Sequence, residues 1–119
     1  MLSGVPRLYV TPEGIIESGR LRILNGSREI FFQGQKLPSL TPKEFNLVKA
    51  LVVHTPAVLS KAELGRMVWA ENSELLHRRT LDVHMRRIRM KFGPVAGQGL
   101  KTVPAVGYQW LDPLNANDN

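Results

Sequence analysis

Six cations crowd the stretch 76–92, LHRRTLDVHMRRIRMKF: Arg78, Arg79, Arg86, Arg87, Arg89 and Lys91, against the single acid Asp82. Guanidinium forks match phosphate oxygens and guanine edges alike, whereas a lysine ammonium acts as a point charge. Like charges packed this closely repel one another unless a polyanion lies over them. The chemistry open to this set is recognition of a nucleic acid, with a merely solvated face as the plainer reading. The whole chain leans the same way, with 16 Lys and Arg against 10 Asp and Glu, a net charge of +6 and a pI near 10.2. Catalytic arrangements are missing. The carboxylates are scattered, Ser60 and Ser73 stand outside any G-x-S-x-G setting, and Gly97-Gln98-Gly99 is too short for a phosphate loop. His54, His77 and His84 are spread out and cysteine is absent, so neither a zinc site nor any cofactor is expected. The chain reads as a binding protein and not as an enzyme.

A helix is needed to present such a set. Wound at about 100° per residue, Leu81, Met85, Ile88 and Phe92 form one narrow apolar stripe. Arg79, Val83, Arg86, Arg87 and Met90 lie opposite it, with Asp82 and Arg89 on one edge and His84 and Lys91 on the other. Asp82 is spaced to pair with Arg86 or Arg78 along the helix. Val83 is either a contact for a thymine methyl or an ordinary exposed valine. His84 is either a half-buried, hydrogen-bonded histidine or a phosphate contact. Trp69 reads first as core, with its indole N–H needing a partner such as a phosphate. Tyr108 and Trp110 alternate with Gln109, as in hairpin packing with a polar tip.

The elements around this helix follow from punctuation and periodicity. Residues 1–19 read as a lead segment with one short strand at Leu8–Val10. Alternating runs at 21–24, 29–32 and 36–37, separated by Asn25-Gly26-Ser27 and Gln33-Gly34-Gln35, predict a small antiparallel sheet. Thr41-Pro42-Lys43-Glu44 is a capping box with proline at the first helical position, and Ser60-Lys61-Ala62-Glu63 repeats the box. Leu40 with Phe45, and Leu59 with Leu64, are placed as hydrophobic staples. The second helix is expected to turn Leu64, Met67 and Val68 inward. A loop over 70–77 leads to the basic helix 78–92, which Gly93-Pro94 ends. Runs at 100–103 and 108–111 predict a terminal hairpin, and 112–119 a disordered tail. Three helices followed by a hairpin make an α+β fold with the outline of a winged helix-turn-helix: a small N-terminal antiparallel sheet, three helices and a C-terminal β-hairpin wing.

LTPKEFNLVKAL, VLSKAELGRMVW, RRTLDVHMRRIRMKF and KTVPAVGYQW, in this order, resemble the DNA-binding domain of OmpR/PhoB-type response regulators over residues 20–111. The resemblance implies a four-stranded N-terminal sheet and tandem binding, as a dimer on DNA, to direct repeats in double-stranded bacterial promoters. Position by position, Arg79, Thr80, Val83, Arg86 and Arg87 match those that approach DNA from the family's recognition helix. His84, Trp69 and Tyr108 match positions close to the phosphates, and Thr102 stands at the base of the wing. Arg89 and Lys91 complete the expected DNA-binding set. The family's wing often reads T-V-R-G-x-G-Y; here it is Thr102-Val103-Pro104-Ala105-Val106-Gly107-Tyr108, so the arginine that enters the minor groove is missing. A phospho-acceptor receiver is also missing, so the chain is either an excised effector domain or a regulator never controlled by phosphorylation, and the untagged start at Met1 leans slightly towards a standalone protein. The expected protein is a cytoplasmic, sequence-specific transcription regulator without signal peptide or membrane span, and the loop 70–77 is a contact for RNA polymerase. The alternative is an adaptor on the same fold, holding a polymerase or protease through 54–60 or 70–77.

Overall fold

The computed structural model describes residues 9–69 and 74–113, with side chains for 10–69 and 80–113. Two antiparallel sheets and three helices share one hydrophobic core. The first sheet is a meander of β1 (Tyr9–Val10), β2 (Ile15–Ser18), β3 (Leu21–Leu24), β4 (Glu29–Phe32) and β5 (Gln35–Lys36). Its register sets Ile16 opposite Ile23, Ile23 opposite Ile30 and Leu21 opposite Phe32. Alternation along each strand then turns these five side chains to one buried face. The lead segment expected at 1–19 therefore supplies two strands, and the folded unit begins before residue 20. Ile15–Ser18 is too brief an alternation to signal itself; pairing with β3 makes it a strand. The chain's other end joins the same sheet. Asp112, expected in the tail 112–119, is buried and accepts a hydrogen bond from the backbone N–H of Arg20 at 3.2 Å. The remainder of that tail, 114–119, lies outside the described residues.

Both capping boxes form. In α1 (Pro42–Val53) the Thr41 hydroxyl accepts from the Glu44 N–H at 3.2 Å, and Glu44 Oε1 accepts from the Thr41 N–H at 2.9 Å. In α2 (Lys61–Trp69) Ser60 and Glu63 exchange the same two bonds at 3.0 and 2.8 Å. The α2 face that turns inward is Leu64, Gly65 and Val68, whereas Met67, expected inside, is 47% exposed. At 100° per residue Met67 stands roughly 100° from the middle of that face.

The third helix, α3 (Glu74–Ala96), begins earlier than expected, so that 74–77 are helical and not loop. The rest of the expected loop, 70–73, lies outside the described residues. Leu81, Met85, Ile88 and Phe92 are all buried, as their spacing predicts. Gly93 breaks α3 at φ 90° and ψ −179°, a conformation open to little but glycine. One 3-10 turn, Gly97–Gly99, then leads to the hairpin of β7 (Leu100–Val103) and β8 (Gly107–Trp110). A two-residue strand that no local pattern announced, β6 (Leu59–Ser60), pairs with β8 and makes this sheet three-stranded in the order β6-β8-β7. Gly107 permits that approach, since a Cβ there would fall 1.9 Å from the Leu59 carbonyl oxygen.

Candidate nucleic-acid interface

With its apolar stripe buried, α3 presents Val83, Arg86, Arg87 and Met90 to solvent, Met90 at 75% exposure. Among the described residues neither Arg86 nor Arg87 makes a hydrogen bond or an ion pair. An arginine normally finds a carboxylate when one is near, and the only acid on this face, Asp82, is occupied elsewhere. Thr80 sits half-buried at the same end of the helix. The side chain of Arg79, expected beside them, lies outside the described residues, as does that of Arg78.

The edge of α3 towards the hairpin carries Asp82 and Arg89. Among the described residues Asp82 makes no ion pair with Arg86, one of the two local partners its spacing suggested; the side chain of the other, Arg78, lies outside the described residues. Asp82 accepts instead from the Tyr108 hydroxyl on β8 and stands 3.2 Å from Lys61 Nζ at the start of α2. Those bonds hold its carboxyl below the usual carboxylate range, the Tyr108 hydroxyl first among the causes. Tyr108 is raised well above the ordinary phenol range, by burial foremost and then by the bond to Asp82. Its one hydroxyl proton thus points at protein. Arg89 donates from Nε and Nη2 to the Leu100 carbonyl at 3.0 and 2.8 Å, and from Nη2 to the Thr102 hydroxyl at 2.6 Å. Its guanidinium also lies 5.9 Å from the Tyr108 ring centroid. Arg89, Thr102 and Tyr108, expected as DNA contacts, are therefore joined to one another at the root of the wing.

The other edge faces α1. Lys91 Nζ lies 2.7 Å from Glu44 Oε1, and Glu44 is buried. Burial alone would raise the Glu44 pKa, but the Lys91 ammonium and the Thr41 N–H outweigh it and leave the carboxyl lowered. The His84 ring sits 5.5 Å from Trp69 between centroids, and Lys43 Nζ lies 5.4 Å over the same indole. Burial, ahead of the Arg87 and Lys43 charges, lowers the His84 pKa, and Glu44 pulls the other way. Trp69 is half-buried at the surface end of this stack.

Three residues of this surface escaped the sequence reading. Lys43 and Lys61 were visible only as helix-start residues, and Glu44 only as the acid of a capping box. Each finds its partner far along the chain, Lys61 in Asp82 21 positions on and Glu44 in Lys91 47 positions on, so no local spacing could reveal the pairs. Together the elements form a basic face with a cleft of about 880 Å³ between α3 and the wing, walled by Arg86, Met90, Pro104 and Thr102. Such a face can take a polyanion across arginines that have no partner among the described residues and the apolar groups beside them.

Known proteins share this construction. The family described as "Transcriptional regulatory protein, C terminal" matches residues 34–110. The uncharacterized transcriptional regulatory protein YclJ of Bacillus subtilis is 36% identical over 101 residues, which cover 85% of this chain and 44% of that protein. The chain thus spans less than half the length of that relative. Among solved structures, the DNA-binding domain of CpxR from E. coli is 28% identical with a TM-score of 0.69, covering 83% of this chain and 97% of that one. The Klebsiella pneumoniae RstA DNA-binding domain in complex with its RstA box has a TM-score of 0.71 at 22% identity, a likeness of fold, over 82% of this chain and 97% of that one.

Proposed function

The chain belongs to the OmpR/PhoB-type family of transcriptional regulatory C-terminal domains, DNA-binding winged-helix units without enzymatic activity, and from that premise we propose that α3 reads specific duplex sequences in the major groove while the β7–β8 wing lies beside the adjacent phosphates. The observation that carries this reading is the solvent face of α3. Its other side and both edges are committed to the protein, which leaves Arg86 and Arg87 without partners among the described residues, beside the exposed Val83 and Met90. A rigid helix with free guanidinium forks suits bidentate contact with guanine. Arg79 and Thr80 extend the reading face towards the start of α3. His84, Trp69 and Lys43 form the phosphate-facing shoulder. Lys91 and Arg89 add charge, although their nearest oxygens belong to Glu44, Leu100 and Thr102.

The crystal complex of the RstA domain with its DNA box supports a duplex as the partner. Tandem occupation of direct repeats as a dimer on DNA, a cytoplasmic location and contact with RNA polymerase through residues 70–77 belong to the same proposal. Among the described residues no helix is long and apolar enough to cross a membrane. An adaptor working through 54–60 is less well supported. There the Pro56 carbonyl accepts from Gln109 and Leu59–Ser60 pairs with β8, so much of that backbone is used internally.

Selection of duplexes from a random pool, followed by titration of the winner at several salt concentrations, tests the reading. With about five phosphates neutralised, log affinity falls against log salt with a slope near −4.5. No enrichment, or a slope shallower than about −2, would overturn it.

A further inference from the structure

We propose that Asp82 and Arg89 are positioning residues that set the wing on the recognition helix, and that sequence discrimination by this protein depends on that setting; the second half rests on the DNA-binding reading above. The two residues stand two turns apart on one edge of α3, seven positions being almost two full turns. Each grips a different strand of the hairpin. Asp82 takes the Tyr108 hydroxyl on β8, and Arg89 takes the Leu100 carbonyl and the Thr102 hydroxyl on β7. Thr102 and Tyr108 are paired across the hairpin, so the two grips close on a single rung of the wing. Lys61, paired with the same carboxylate, brings the start of α2 into the tie, and β6 bonds β8 from the next residues back.

Two grips on adjacent strands restrain rotation of the hairpin about its own length, which a single contact cannot do. The rung also separates two regimes. Leu100 and Trp110 below it are buried, whereas Pro104, Ala105 and Val106 beyond it are exposed. Core packing thus holds the base of the wing, and among the described residues the polar ties are the last side-chain hydrogen bonds between α3 and the hairpin before the tip. The tip has no arginine with which to seek a groove, so it has to be placed by its root. The wall of the cleft against Arg86 is then a property of the Asp82–Tyr108 and Arg89–Thr102 contacts.

Tyr108→Phe removes one hydroxyl while keeping the buried ring and every charge, so the phosphate term is untouched. Asp82→Asn is the companion variant, since its amide oxygen can still accept from Tyr108. The chain has no cysteine, so spin labels placed through Asn46→Cys and Val106→Cys report the distance from α1 to the wing tip in the absence of DNA. The unaltered wing should give one narrow distance distribution, and Tyr108→Phe a broad one with thermal stability nearly unchanged. On the duplex selected from the random pool, Tyr108→Phe should lower discrimination against a scrambled duplex about tenfold, roughly the worth of one charge-assisted hydrogen bond. Asp82→Asn, with Tyr108 intact, should keep most of the discrimination. A distribution that stays narrow in Tyr108→Phe and in Arg89→Ala would overturn the proposal, because packing alone would then hold the wing. Broadening with discrimination intact would overturn the positioning role. If the pool yields no preferred duplex, the DNA-binding reading fails while the distance measurement still decides whether the ties hold the wing.

Discussion

The two edges of α3 start from similar material and are used differently. One carries Asp82 and Arg89, the other His84 and Lys91. On the wing edge the partners are two hydroxyls, a carbonyl and a lysine on elements that have to be placed relative to the helix, and the Asp82 side chain stays 53% exposed. On the α1 edge, Lys91 meets a carboxylate whose side chain is 2% exposed, and the His84 ring is packed on Trp69. A buried ion pair is costly to break because the surviving charge has lost its water. Exposed polar ties contribute less to stability and more to geometry. The contrast teaches that one edge welds α3 into the domain and the other aims the hairpin, while among the described residues the arginines of the solvent face are the ones left without a protein partner.

The sharpest break of this contrast is on that free face. Arg86→Ala and Arg87→Ala should each cost about 1–3 kcal/mol on a selected duplex and little on random DNA at one fixed salt, with stability unchanged. Equal losses on both DNAs would make these arginines phosphate anchors and remove the major-groove assignment. On the α1 edge, Lys91→Ala should lower unfolding stability by about 2 kcal/mol in a denaturant titration. That is less than a fully buried pair would lose, because the Lys91 side chain is 33% exposed. Unchanged stability together with weaker binding to all DNA would instead show that Lys91 works on phosphates.

The capping boxes set the scale for a change with no functional component. Thr41→Ala or Ser60→Ala should cost on the order of 1 kcal/mol, with the folded fraction binding DNA as before. Loss of selective binding at full stability would mark either residue as part of the interface.

The smallest effect concerns His84. Its folded pKa is lowered, by burial first, so near the ordinary histidine value of about 6.5 the unfolded chain takes up a proton that the folded chain does not yet bind. His84 therefore contributes stability above that pH and loses it as the pH falls through the lower folded value. In His84→Gln the decline of melting temperature on acidification below about pH 6.5 should be shallower. Identical profiles would assign the decline to other groups.

Much of this architecture was legible in the chain itself. The apolar spacing of Leu81, Met85, Ile88 and Phe92 announced a core helix, and all four are buried. Thr41 and Ser60 announced their helices because a capping box is written within four residues and needs no distant partner. Gly93-Pro94 announced the break in the basic helix, where φ turns positive. Such features depend on neighbours three or four positions apart, so they survive in any sequence that carries them.

Tertiary structure decided the rest. Whether Ile15–Ser18 was lead or strand depended on register with β3, and Leu59–Ser60 became a strand only because Gly107 lets β8 approach. Helical spacing placed Asp82 and Arg89 on one edge of the helix and Lys91 on the other, yet their partners, Tyr108, Thr102 and Glu44, lie 26, 13 and 47 positions away. The sequence determined how many cations the helix carries and which way its apolar stripe faces, since both follow from composition and a 3.6-residue period. Which of those cations remained free for a partner was settled only when the chain closed, because an ion pair forms with whichever oxygen the fold brings within reach.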